Sequence, residues 1–360
     1  MAFYFFLLNF IVLCLKVEAT HDVFTDDEVE GCGKIRIPKI VSTPSQVIVW
    51  GQCRNYGSSV YEEKLATKDD FVGDDFSTNQ IVSKISTDNG TTWSKFTKNK
   101  NIGFSNPTPI YDDERKQVVL LYQYYPDEDP SYKVETFAQI SKDDGKTFGD
   151  PINITDQVIA CSPKAPNHMM QFSAGSRAQT ASGRLIVTGH DDKGMGCIFY
   201  SDDGGSTWSA NYMNQKTKEI SAAEVNPGNL LLNGRDPDGR LGERNNYRSK
   251  DDGDSWGDPE GSELETHSCE GAILARPLEG STKSTIFYSG VDDNDRNGLT
   301  LRCSLDGGHS WPYSSNKYSG KAGYSDMALL PDGDIIAVFE VQGGHAGAKS
   351  THTDGSFCKE

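Results

Sequence analysis

Beyond its first twenty residues the chain carries its apolar side chains in short runs: Gln46–Trp50 (QVIVW), Val118–Tyr122 (VVLLY), Leu185–Thr188 (LIVT), Asn229–Leu232 (NLLL), Ile286–Tyr288 (IFY) and Asp334–Phe339 (DIIAVF). Turn-forming residues bound each run, so each reads as a strand. No helical periodicity persists over a dozen residues in this region. The pattern predicts an all-β protein of strands and tight turns.

Between these runs one phrase recurs five times, Ser-x-Asp-x-Gly-x-Ser/Thr-aromatic: Ser86–Trp93, Ser141–Phe148, Ser201–Trp208, Ser249–Trp256 and Ser304–Trp311. The copies start 55, 60, 48 and 55 residues apart, and four of the five Trp lie inside them. A period near fifty marks one supersecondary unit stacked several times. Each copy reads as a turn, because Asp caps nearby backbone N–H groups and Gly takes positive φ cheaply. The Ser and the aromatic at its ends are placed to pack the turn against its own unit. These residues are assigned to the scaffold, not to chemistry. Six strand groups and five boxed turns predict a six-bladed β-propeller with Asp-box turns. Catalytic parts of such a fold lie scattered along the chain and meet at its axis.

Composition narrows the picture. The net charge is −17, the opposite of the basic excess of a nucleic-acid binder. The 36 Gly suit a turn-rich β-protein. The segment Met1–Thr20 is apolar from Ala2 to Leu15, broken by Asn9, and ends in small residues that suit cleavage after Ala19. Residues 1–19 are therefore predicted to be a signal peptide, too short in its apolar run to cross a bilayer of about 30 Å. Residues 20–360 show no linker or composition break, which predicts a single domain in a secreted or luminal protein, the lysosome included. Asn89 and Asn153 begin glycosylation sequons. With Cys14 in the leader, seven Cys remain, and an odd count leaves at least one thiol free or bridged between molecules. No CxxC pair and no HExxH occurs, and the dispersed His190, His267 and His309 read as structural or surface groups. Asp293–Gly298 (DNDRNG) imitates the start of a calcium loop, yet the Glu needed at its twelfth position is missing. No metal or cofactor is expected.

Outside the boxes stand Ile35-Arg36-Ile37-Pro38, Arg54 in Trp-Gly-Gln-Cys-Arg, the pair Asp74-Asp75 ahead of the first box, and Glu219 sixteen residues before Arg235. Arg296 precedes the last box by eight residues, followed by Gly323-Tyr324-Ser325-Asp326 and Glu340. Taken in this order with the five boxes, these phrases resemble the sialidase (exo-α-neuraminidase) superfamily from Ile35 to about Glu340. The resemblance implies a six-bladed catalytic propeller that releases terminal α-linked sialic acid. It implies Arg36, Arg235 and Arg296 as a triad on the sugar carboxylate, with Arg54 a further Arg near the sugar. Tyr324 is implied as nucleophile, Glu219 as its partner, and Glu340 as the carboxylate that holds Arg36. Glu224 competes with Glu219 but falls where the family has a structural Glu. The acid/base is Asp75 or Asp74; spacing back from Ser86 favours Asp75, and Asp74 would then contact substrate. The loop from Tyr56 to Asn79 is placed to shape the aglycone side.

The chemistry gives each residue type its reason. Sialic acid bears a carboxylate on its anomeric carbon, and the planar fork of Arg grips carboxylate with paired charge-assisted hydrogen bonds. A local Arg cluster sets the field in its cleft whatever the net charge. A neutral Tyr approaches that anion without the repulsion a carboxylate nucleophile meets, and sialidases with Tyr are a known exception among glycosidases. Nearby Arg cations are expected to favour the phenolate. The expected activity is retaining exo-sialidase hydrolysis through a covalent tyrosyl intermediate, on sialylated glycoproteins, glycolipids or oligosaccharides. Alternatives are a trans-sialidase, inter- or intramolecular, on the same residues, and an inactive sialic-acid-binding lectin. A lectin needs the Arg residues but not Tyr324 with Glu219.

Overall fold

The computed structural model describes residues 19–25, 28, 32, 34–54, 79–98, 104–124, 134–161, 170–236, 244–264, 269–293, 295–342 and 347–359. The segment before Ala19, where a leader is expected, the Asn55–Gly73 loop, Asp74, Asp75 and His267 therefore lie outside the described residues. After β1 (His21–Phe24) come four four-stranded antiparallel sheets, each built from consecutive strands. The first holds β2 (Lys34–Ser42), β3 (Val47–Arg54), β4 (Gln80–Ser86) and β5 (Thr97–Lys98). The second holds β6 (Phe104–Asp112), β7 (Gln117–Tyr124), β8 (Glu135–Ser141) and β9 (Ile152–Asn153). The third holds β10 (Gln171–Gln179), β11 (Leu185–His190), β12 (Met195–Ser201) and β13 (Ser209–Lys216). The fourth holds β14 (Lys218–Asn226), β15 (Asn229–Arg235), β16 (Arg244–Ser249) and β17 (Glu260–Gly261).

The blade count departs from the expectation. Among the described residues discrete four-stranded blades number four, not six. The remaining strands, β18 (Ala272–Pro277), β19 (Ser284–Gly290), β20 (Asn297–Ser304), β21 (Tyr313–Leu329), β22 (Ile335–Val341) and β23 (Ala348–Thr353), join β1 in one seven-stranded sheet. The cause is β21, which runs unbroken for 17 residues. Its Tyr313–Lys321 half pairs with β20 and its Ala322–Leu329 half with β22. β1 pairs with β23, so the first and last described strands share one sheet. β2, β6, β10, β14, β18 and β21 pack one against the next around an axis, and β21 meets β2.

The six apolar runs are β3, β7, β11, β15, β19 and β22, each the second strand outward from the axis. β3, β11 and β22 are buried along their whole length, because neighbouring sheets cover both faces. The hydrophobic clusters accordingly lie between sheets, as where Val41, Ile48, Trp50 and Ile81 meet Val118, Leu120 and Tyr122. A short helix, α1 (Thr155–Ile159), was not expected from the pattern; it follows Asn153, whose Oδ1 accepts from Thr155 N at 3.0 Å.

The boxes link the third strand of a sheet to the fourth. In the second box Ser141 Oγ donates to Asp143 Oδ1 (2.7 Å), Gly145 N to Ser141 Oγ (2.8 Å), Thr147 N to Asp143 Oδ1 (2.9 Å) and Thr147 Oγ1 to Asp143 Oδ2 (2.6 Å). These Thr147 and Ser141 donors hold the Asp143 carboxyl down at about 2. The same four bonds recur in the other boxes. The residue after each Asp is left-handed, and only Asn89, Asp144, Gly204, Asp252 and Gly307 fill that place, the types that tolerate it. Gly145 has a second reason to be Gly: a Cβ there would stand 2.3 Å from Ile48 Cδ1 on β3 of the preceding sheet. The box therefore packs against its neighbour's sheet as well as its own.

Cys32–Cys53, Cys161–Cys197 and Cys303–Cys358 are bridged, and Cys269 is free and buried. Among the described residues no helix is long and apolar enough to cross a membrane.

Candidate active site

One cavity at the axis is lined by Arg36, Ile37, Gln52, Arg54, Asn106, Gln171, Phe172, Ser173, His190, Glu219, Glu270 and Tyr324. The innermost strands reach it through breaks in their pairing. Register shifts fall between Arg36 and Lys39 in β2, Ser105 and Thr108 in β6, Phe172 and Arg177 in β10, Lys218 and Ser221 in β14, and Ala322 and Ser325 in β21. A regular strand sends successive side chains to opposite faces; an extra residue re-aims them. Three lining residues, Ile37 (φ 56°), Asn106 (φ 51°) and Glu219 (φ 47°), and Arg296 (φ 60°) are left-handed there. Each such non-glycine position costs about 1–3 kcal/mol, and such strain gathers where a site needs it.

Tyr324 stands at the centre. Its hydroxyl donates a hydrogen bond to Glu219 Oε1. Arg235 Nη1 donates to both oxygens of Glu219, at 3.1 and 2.9 Å. The guanidinium carbons of Arg36 and Arg296 lie 5.6 and 5.9 Å from the centre of the Tyr324 ring. The three Arg residues thus converge on one phenol from β2, β15 and the turn before β20. Arg54, at the end of β3, is 3% exposed and lines the same cavity.

Glu340 ties two of these groups together. Its Oε1 accepts from Arg36 Nε (2.7 Å) and Ile37 N (2.8 Å), and its Oε2 accepts from Tyr324 N (3.1 Å). A Cβ on Gly323 would stand 2.4 Å from Glu340 Oε2, so Gly at that position makes the approach possible. Burial raises the Glu340 carboxyl, but the charge of Arg36 and these hydrogen bonds outweigh it and hold it below its ordinary value.

Glu219 follows the same logic. Burial pushes it up, while Arg235 and the Tyr324 hydrogen bond bring it below the usual carboxylate range, so it is an anion at neutral pH. Tyr324 goes the other way and is pushed well above its ordinary value, first by burial and then by Glu219 and Glu270. This corrects the expectation that the Arg cations favour phenolate: Arg235 does lower it, but burial and two carboxylates win. The resting site is a neutral phenol on an ionised carboxylate. His190 is buried, and burial lowers it, so it too is neutral; its Nδ1 donates to Asp191 O at 2.9 Å.

The remaining expectations divide. Asp75 and Asp74 lie outside the described residues. Glu224 is not in this cavity; it accepts from Ala181 N and Gly228 N and lines a wider cleft with Arg177 and Asp326, which bond each other at 2.6 Å. Sequence reasoning missed Lys39 and Glu270, both buried near Glu219. The signal was a lone charge set in an apolar stretch, in Ile-Pro-Lys-Ile-Val and in Cys-Glu-Gly-Ala-Ile-Leu.

Comparison with known proteins bears on this site. Residues 97–336, more than half the chain, match the BNR repeat-like domain family, and residues 84–95 match the BNR/Asp-box repeat. The chain is 28% identical over 352 residues to a sialidase of Bacteroides fragilis (strain YCH46), covering 86% of this chain and 60% of that protein. It is 27% identical over 296 residues to a sialidase of Micromonospora viridifaciens, covering 73% of this chain and 45% of that one. It therefore spans about half of these two relatives' length. Among solved structures, Hadza microbial sialidase Hz136 aligns with a TM-score of 0.74 and 25% identity, over 90% of this chain and 66% of its own. The intramolecular trans-sialidase from Ruminococcus gnavus aligns with a TM-score of 0.72 and 16% identity, over 92% and 97%, a likeness of fold. Boxes, fold and these matches agree: the chain belongs to the sialidase superfamily.

Proposed function

We propose that this protein is a retaining exo-sialidase that hydrolyses terminal α-linked sialic acid from glycoproteins, glycolipids or oligosaccharides. The observation that carries the reading is Tyr324 on Glu219, with Arg36, Arg235 and Arg296 gathered around both. Three cations beside one phenol suit a substrate whose reacting carbon bears a carboxylate. Three disulfides fit an oxidising, secreted or luminal setting, and residues 1–19 are the leader.

The electrostatics support one order of events. Ionising a free Tyr at pH 7 costs roughly 4 kcal/mol, and the buried Tyr324 costs more. The phenol therefore stays neutral until its oxygen bonds to the anomeric carbon. Its proton then passes to Glu219 Oε1, already in contact. Asp75, or Asp74 in its place, protonates the departing glycosidic oxygen. In the second half it takes a proton from water, water attacks the same carbon, the tyrosyl bond breaks, and Glu219 returns the proton to Tyr324. Two inversions give net retention. A trans-sialidase runs the same steps with a hydroxyl group in place of water.

The test compares wild type and Tyr324→Phe on a fluorogenic sialoside, with product identification. Wild type releases free sugar, first as the α-anomer in a proton NMR time course, and the Phe variant folds but loses at least about a hundredfold in turnover. A β-anomer appearing first, or a fully active Phe variant, refutes the mechanism. Anhydro or transferred product identifies the trans-sialidase. Binding without turnover by wild type identifies the lectin.

A further inference from the structure

Glu270 lies just before β18 and lines the same cavity as Tyr324 and Glu219. It is 1% exposed, and among the described residues neither of its carboxyl oxygens takes a hydrogen bond. The charged and titratable groups around it come from several elements. Lys39 from β2 faces it, but Lys39 Nζ donates to Ser173 O at 2.7 Å. Arg244 from β16 is spent on Asn233 Oδ1 and the carbonyls of Cys269, Gly271 and Glu219. Asp326 from β21 accepts from Arg177 and Ile40 N. Glu219 from β14, Tyr324 from β21 and the buried thiol of the adjoining Cys269 lie near it, and Arg36, Arg54 and His190 line the same cavity. Among the described residues no cation donates a hydrogen bond to Glu270.

A buried carboxylate with no bonded partner is strongly disfavoured, whereas a buried carboxylic acid needs only an acceptor for one proton. Burial first, with Glu219 and Asp326 adding to it against Lys39 and Arg244, raises the Glu270 carboxyl well above its ordinary range. The neutral acid is then a hydrogen-bond donor aimed into a cavity. Gln52, also 1% exposed and lining that cavity, has an Oε1 equally without a bonded partner among the described residues. Two unspent polar groups, one able to donate and one to accept, face the same space.

We propose that Glu270 is a further substrate-binding residue: a neutral carboxyl group that donates its proton in a hydrogen bond to an oxygen of the sugar held beside Tyr324. Its neutrality adds no further negative charge to that of Glu219 beside the phenol, and none against the substrate carboxylate. The ligand class is a polyhydroxylated sugar acid, so the inference rests on the function proposed above. As pH rises and Glu270 ionises, the donor is lost and repulsion replaces it.

Two measurements test this, one independent of activity. The infrared difference between wild type and Glu270→Gln, at neutral pH without ligand, shows a protonated carboxyl band; a carboxylate band instead overturns the proposal. Adding free sialic acid at saturation shifts that band to lower frequency as the hydrogen bond forms; an unmoved band with ligand bound overturns it too. On a sialoside, Glu270→Ala raises KM about fivefold to tenfold, and Glu270→Gln, which keeps a donor, raises it by less. The alkaline rise in KM seen in wild type is flattened in the Gln variant; an identical rise in both assigns it elsewhere and refutes the role. If wild type neither binds nor turns over sialosides, the function proposed above fails, while the band without ligand still decides the state of Glu270.

Discussion

Removing the carboxylate of Glu340 tests how the site is held. Glu340 is 0% exposed and its salt bridge to Arg36, itself 7% exposed at the side chain, is closed to water. Ala in its place removes the acceptor that the buried Arg36 Nε shares with the amides of Ile37 and Tyr324. Breaking one side of such a pair costs about 3–5 kcal/mol. At about 2.1 cal/mol/K of unfolding entropy per residue, a 360-residue chain loses about 4–7 °C in Tm. Gln is the sharper probe. Its oxygen can serve Arg36 and Ile37, but its NH2 then faces Tyr324 N, donor against donor, for a loss of about 2 kcal/mol or about 3 °C. The sign with pH follows from the depressed carboxyl. Glu340 lies below its ordinary 4.5 when folded, so its contribution is complete above that value and fades as pH falls through the lower one. Thermal melts of wild type and Glu340→Gln therefore differ most at neutral pH and converge in acid, where wild type is neutral at this position as well. Equal melting at neutral pH, or a gap that ignores pH, would refute the claim that this carboxylate anchors Arg36.

Two further predictions concern the scaffold. Gly145→Ala forces an L-residue to φ +85° and drives its Cβ to 2.3 Å from Ile48 Cδ1; it destabilises the fold by about 2 kcal/mol or more in chemical denaturation, and an unchanged midpoint would show that the box does not seal its neighbour. Cys269 is buried, and burial pushes its thiol up to about 12, so a thiol reagent at pH 8 reacts with it only after denaturant is added; immediate labelling of the native protein contradicts its placement.

What could be read along the chain was what depends on near neighbours. The Asp boxes are closed by hydrogen bonds spanning two to four residues, so their shape is local and their spelling gives them away. β3, β7, β11, β15, β19 and β22 were legible because sheets on both sides bury them into continuous apolar runs. The innermost strands were not, since lining the axis gives them polar and charged residues such as Arg36, Lys39 and Glu219 among apolar ones. The blade count was misjudged for a tertiary reason: β21 passes from one partner strand to the next without a turn, and no residue type marks that passage.

Motif order was enough to nominate Arg36, Arg235, Arg296, Tyr324, Glu219 and Glu340. Their meeting required the closed ring of inner strands and a bulge in most of them, which no local pattern encodes. The ionisation states were also decided only there. A Tyr beside three Arg reads as a poised phenolate in one dimension, but burial with Glu219 and Glu270 keeps its proton in place. Composition and spacing determine which groups exist and which turns form; desolvation and charge pairing depend on distances through space, and only the folded chain sets those.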